Sequence, residues 1–207
     1  SIRKERYSHD IIEDTGELLD SVLADGPGSS SINLDIDYDL LDSFLEKHNV
    51  SLNILFSSVF AYTLSRFVGS EKVSFNIVEN GRDRLGNYDS LGMFVNTLPL
   101  LIDCKNQDIG SFVEYVSDLV YGVMKYNYYP FRLLASEYGI DSGILFQFMP
   151  EWISDDDADY SEFESMQEDD GESENMEELI SELSVDIVQK GESYSLCIQY
   201  SAKYSGD

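Results

Sequence analysis

Residues 52–67 place Leu52, Leu55, Phe56, Val59, Phe60, Thr63, Leu64 and Phe67 at helical spacing, so apolar side chains cover nearly every side of the predicted helix. A helix with so little polar face belongs inside a folded domain, and other elements must cover it. Ser51 is placed to cap its start and Gly69 to stop it. The flanking segments carry a different period. Ile32, Leu34 and Ile36 alternate with polar residues before it, and Val73, Phe75 and Ile77 alternate within Lys72–Val78 after it. A buried helix between two strands predicts an α/β layered fold.

The rest of the chain repeats that alternation. Asp37 precedes a helical run with Leu40, Leu41, Phe44 and Leu45 on one face. Leu98–Ile102 reads as a buried strand, and from Ile109 a long helix aligns Phe112, Val113, Val116, Leu119, Val120, Val123 and Met124. Tyr126–Tyr129 ends that helix, and Pro130 opens a short one reaching Tyr138. Ile144–Met149 is a short apolar strand; Ser184–Val188 and Tyr194–Ser201 are strands flanking the turn Lys190-Gly191-Glu192. Residues 1–30 contain a weak helical pattern (Ile11–Leu23) and end in the turn-rich Asp25–Ser30, which makes them a connecting segment ahead of a compact unit at 31–207. Between Arg132 and Lys190 there is no Lys or Arg, and the acidic stretch within 151–180 is expected to stay extended by self-repulsion.

Charge narrows the function classes. Forty Asp and Glu oppose 13 Lys and Arg, a formal charge of −27. With no basic cluster to neutralise phosphates, nucleic acid is excluded as a partner, and an anionic membrane surface is disfavoured. The longest mostly apolar stretch, Ile54–Tyr62, falls well short of the ~20 residues of a spanning helix. The polar start, Ser1–Arg6, has no signal-peptide character, so the cytoplasm is the expected compartment. Cys104 and Cys197 belong to no metal-binding or redox spacing and are expected to be reduced core thiols. The sequon Asn49-Val50-Ser51 is then a chance match.

A search for chemistry among the residues finds no catalyst. Asp155, Asp157 and Asp159 have the opening spacing of a calcium loop, but Tyr160 and Met166 stand where its glycine and bidentate glutamate are needed. No metal site is therefore expected. The two histidines, His9 and His48, have no evident nucleophile to activate, and His48 suits a helix C-terminus, where a partly positive imidazole is favoured. Gly139-Ile140-Asp141-Ser142-Gly143 carries its serine one place late for a nucleophile elbow.

Several phrases, in a fixed order, resemble the second half of a nonribosomal peptide synthetase condensation domain, of the chloramphenicol acetyltransferase-like superfamily. Asn49–Asn53 before the buried helix, Glu79-Asn80-Gly81-Arg82-Asp83-Arg84, and Tyr128-Tyr129-Pro130-Phe131 followed by Ile144–Phe148 are similar to family segments. Gly92-Met93-Phe94-Val95-Asn96-Thr97-Leu98-Pro99-Leu100 is close to the family phrase Gly-x-Phe-Val-Asn-Thr-Leu-Pro-Leu. The sequence departs at Leu101, where many members have Arg, and at Tyr126-Asn127-Tyr128, where they have His-Gln-Asp.

The resemblance implies a two-layer sandwich, a mixed β-sheet packed by helices, forming one half of a two-lobed fold with a tunnel between the lobes. It implies that Glu79–Asn96 corresponds to the tunnel floor, with Asn80, Gly81, Arg82, Phe94, Asn96 and Thr97 as substrate-facing residues, and that the acidic stretch is a latch between lobes. Phe94, Pro99, Pro130 and Phe131 would equally serve as core packing, whereas a polar Asn96 inside an apolar run needs partners and is expected to pin the local backbone. Family catalysis depends on His-His-x-x-x-Asp-Gly in the first half. This chain has no adjacent histidines, so it is expected to contain no catalytic residue and to be inactive alone. The implied partners are the N-terminal half, peptidyl carrier domains and an adenylation domain; no cofactor is bound directly, the phosphopantetheine arm arriving on the carriers. Two other readings are a related acyltransferase or epimerising member, and a non-catalytic carrier-docking or scaffold module.

Overall fold

In a computed structural model the chain is described over residues 28–80, 94–105, 108–140, 143–150 and 183–200. The connecting segment up to residue 27 with His9, Gly81 and Arg82, the calcium-like spacing, Asp141, Ser142 and the acidic stretch lie outside these residues.

Among the described residues, pairs of helices are interleaved with strands: β1 (Gly28–Leu34), α1 (Tyr38–His48), α2 (Leu52–Val68), β2 (Lys72–Asn80), β3 (Val95–Asp103), α3 (Ile109–Met124), α4 (Phe131–Tyr138), β4 (Ile144–Met149), β5 (Leu183–Lys190) and β6 (Ser193–Tyr200). The strands form one sheet in the order β1-β6-β5-β4-β2-β3. β4 pairs parallel with both β2 and β5, and the other pairs are antiparallel, so the sheet is mixed as expected.

Local signals set the helix boundaries. Asp37 accepts from the Leu40 N–H (3.1 Å) and Ser51 from the Ile54 N–H (3.4 Å), each capping a first turn. Asn49 at φ 50° and Gly69 at φ 69° end α1 and α2 in the left-handed region. Asp108 caps α3, accepting from the Ser111 N–H at 3.0 Å, and hydrogen bonding from the Ser111 hydroxyl, then from this N–H, holds its carboxyl below the usual range.

One sheet face carries Val73, Phe75, Ile77, Leu98, Leu100, Ile102, Phe146, Val185, Ile187 and Tyr194, which form a single core with buried residues of α1, α2 and α3. Burying a Phe or Val completely stabilises the fold by about 1.5–3 kcal/mol, so this face carries most of the cohesion. The opposite face is more polar: Ser31, Cys197, Asp186 and Gln147 stand in one row across β1, β6, β5 and β4. The β2–β4 junction is the narrowest in the sheet, with two residue pairs, Asn76 with Leu145 and Ile77 with Phe146. An aromatic cluster spans it: Phe60 of α2 contacts Phe75 edge-on (4.9 Å between centroids) and stacks on Phe146 (5.0 Å).

Four expectations need correction. α2 is not enclosed on all sides: Val59, Tyr62 and Phe67 are about half exposed, while Ser57, Ser58, Ala61 and Ser65 are buried. Small residues face inward because a helix lying close on a sheet leaves little room there, and the serines are satisfied locally, as by Ser58 Oγ donating to the Ile54 carbonyl (2.7 Å). Leu40 projects into solvent at 69% exposure, although its three companions on α1 pack inward. Leu98, Leu100 and Ile102 of β3 are buried as expected, but β3 lies at the edge of the described sheet and Leu101 on its other face is 40% exposed. β1 begins at Gly28 and ends before Ile36, because its register follows β6 from Tyr200 to Tyr194.

Candidate functional site

The described part of the family-like phrase, from Phe94, and the polar end of β2 occupy one corner of the sheet, where β2 ends and β3 begins. Glu79 pairs with Asn96, Asn80 with Val95, and Val78 with Thr97. The connection between α3 and α4, residues 125–130, lies against this corner.

Asn96 joins the two. Its Nδ2 donates to the carbonyls of Asn127 (2.6 Å) and Tyr129 (2.9 Å), and its Oδ1 accepts from the Thr97 N–H (3.0 Å). The expectation that Asn96 pins the backbone is met. The same geometry fills both of its side-chain amide hydrogens, so Asn96 shapes the corner and has neither of them left to offer a ligand.

Asn127 is the residue that sequence reasoning missed. It is buried, at 9% exposure, and its Nδ2 donates to Glu79 Oε2 at 2.8 Å. The available signal was an amide set among Tyr126, Tyr128 and Tyr129 just past a helix end, where a polar side chain surrounded by rings needs a specific partner. Tyr126 and Tyr128 are exposed, and Tyr129 donates its hydroxyl to Glu137 (3.1 Å), which pushes the phenol above its ordinary pKa. Phe94, Pro99 and Phe131 are half-buried and Pro130 is exposed, so none of the four belongs to the buried core.

Among the described residues nothing else supplies an acid, base or nucleophile to this corner. His48 lies at the α1–α3 interface, its Nδ1 3.2 Å from Glu114 Oε1 and its ring 4.5 Å from Phe44. The position at a helix C-terminus is as expected, with a carboxylate partner across the interface. Cys104 and Cys197 are free. Cys104 is buried, its Sγ donates to the Ala61 carbonyl (3.5 Å), and burial pushes its thiol up; Cys197 is only half-buried. A cleft of about 270 Å³ lined by Ser65, Arg66, Gly69, Ser70, Glu71 and Cys104 lies at the opposite ends of β2 and β3. No cluster of three or more His, Cys, Asp or Glu that could hold a metal occurs among the described residues. No helix among them is long and apolar enough to cross a membrane. The hydrogen bonds of the corner hold its shape.

Known proteins share both sequence and architecture with this chain. The Condensation domain family model matches residues 27–205. A plipastatin synthase protein of Bacillus subtilis (strain 168) is 29% identical over 126 residues, covering 56% of this chain and 5% of that protein. The condensation domain of the monacolin K polyketide synthase MokA superposes with a TM-score of 0.63 at 14% identity, over 87% of this chain and 43% of that one. The first condensation domain of the CDA synthetase gives 0.59 at 16% identity, over 94% and 45%. The chain thus spans under half of these solved structures and a small part of the curated relative. The six-stranded mixed sheet packed by helices is the chloramphenicol acetyltransferase-like fold of those structures. With the family matched along nearly all of its length and the same architecture beneath it, this chain belongs to the condensation-domain family of nonribosomal peptide synthetases.

Proposed function

We propose that the chain is the C-terminal half of a cytoplasmic condensation domain and forms one wall and the floor of its tunnel. There the amine of a carrier-bound aminoacyl acceptor attacks the thioester carbonyl of a carrier-bound donor. An amide C–N bond forms, the C–S bond breaks, and the carrier's phosphopantetheine thiol leaves with the proton. That arm belongs to the partner carriers and enters as the tether of the substrates.

The observation that carries this reading is the rigid corner at Glu79, Asn96 and Asn127, joined to a sequence without adjacent histidines. Among the described residues the corner's one carboxylate, Glu79, is engaged by Asn127, and a surface pinned in this way suits orienting reactants, the contribution that makes a reaction between two tethered groups effectively intramolecular. Proton transfer then falls to the N-terminal half, and loaded carriers and an adenylation domain complete the partner set.

The test uses the full-length protein with donor and acceptor carriers loaded, and mass spectrometry of the acceptor. A new amide on the acceptor carrier is expected, and the 207-residue chain alone should form none. Inverted stereochemistry with no amide would replace condensation by the epimerising reading, and binding without turnover would leave the docking module.

A further inference from the structure

One residue holds both strands of the corner. Asn127 donates to Glu79 on β2 through its amide, and its backbone carbonyl accepts from Asn96 on β3. Glu79 and Asn96 are register partners, so one residue of the α3–α4 connection bridges the ends of two paired strands. The connection is itself fixed: the N–H groups of Tyr126, Asn127 and Tyr129 donate to the carbonyls of Val123, Met124 and Tyr126.

We propose that Asn127 is the positioning residue of this corner, acting through Glu79 and Asn96 to set where Asn80, Phe94 and Thr97 stand. Chemistry dictates an amide at this place. Glu79, when ionised, only accepts hydrogen bonds, so residue 127 must donate. A carboxylate there would face Glu79 with like charge, and an alanine would leave a half-buried acceptor without this donor. The effect on acceptor binding rests on the proposed function, whereas the anchoring of the strand ends does not.

The experiment exchanges donor and acceptor. Asn127→Asp sets two carboxylates against each other, and adding Glu79→Gln restores an amide–carboxylate bond with the roles reversed. In the full-length protein, N127D should raise amide hydrogen exchange at Asn80 and Thr97 by about tenfold while Val73 and Ile102 at the far strand ends keep their protection. E79Q/N127D should return both to near the parent rate. With loaded carriers, N127D should raise the acceptor KM by about tenfold with little change in kcat, and the double variant should reverse it. Unchanged exchange at Asn80 and Thr97, exchange raised throughout the sheet, or a double variant no better than N127D would overturn the proposal. If exchange follows this pattern but the parent protein forms no amide, the anchoring stands and the condensation reading falls.

Discussion

A carboxyl group in the middle of a sheet must either find strong hydrogen bonds or give up its charge. Asp186 has little to find. It is 9% exposed, and the Ser184 hydroxyl reaches its two oxygens only at 3.4 Å each, longer than a good O–H···O bond. Burial pushes its pKa up, the Ser184 contact opposing. A raised folded-state pKa means that the native chain holds this proton more tightly than the unfolded chain does. The resulting stability is therefore complete below the ordinary carboxylate range and is lost as pH rises through the folded pKa. Asp186→Asn is expected to melt higher than the parent at pH 8, by about 2–4 °C for each kcal/mol regained, with the gap closing toward pH 4. Equal melting differences at both pH values would show that the charge is not the cause. Asn96 presents the opposite case, a half-buried polar side chain whose amide hydrogens and oxygen all have partners. It was legible from sequence because one polar residue interrupts an apolar run; Asp186, in a segment of alternating residues, carried no such sign.

The contact between α1 and α3 depends on a missing side chain. A Cβ on Gly110 would run into the His48 ring, whose Nδ1 and Nε2 would lie 3.1 and 3.2 Å away. Gly110→Ala should therefore destabilise the fold by about 1–3 kcal/mol, overriding the ~1 kcal/mol that alanine gains in a helix. Removing the ring as well, in H48A/G110A, should recover part of the loss, and denaturant titration of the two variants measures the difference. At this scale the sequence was most readable where periodicity had one answer. The strand Ile144–Met149 and the stripe on α3 emerged as expected. The orientation of α2 did not, because a helix apolar on every side has no preferred face in its sequence. Packing against the rest of the fold buried Ser57, Ser58, Ala61 and Ser65 together with Ile54, Phe56 and Leu64. Asn127 stayed hidden for a related reason: its partners, Glu79 and Asn96, are 48 and 31 residues away.

A chain with a formal charge of −27 repels itself when compact. Exposed pairs such as Lys105–Asp103 (2.6 Å) offset little of this. Raising salt from about 10 to about 150 mM shortens the screening length from about 30 to about 8 Å, so the melting temperature should rise across that range. A fall would mean that attraction between opposite charges outweighs the repulsion. The sheet order has a consequence of another kind. Among the described residues β1 is bonded to β6 alone, from Gly28–Tyr200 to Leu34–Tyr194, and β6 in turn separates it from β5. The first strand of the sheet to be synthesised thus has no partner until the last one is made. At about 5–20 residues per second that interval is roughly 8–30 s, during which Gly28–Leu34 leaves the ribosome as an open edge. Consecutive strands pair at β2–β3, β4–β5 and β5–β6, so β1 alone waits for the end of the sheet, and a nascent chain stalled before Ser193 leaves that edge open to pairing with a neighbour.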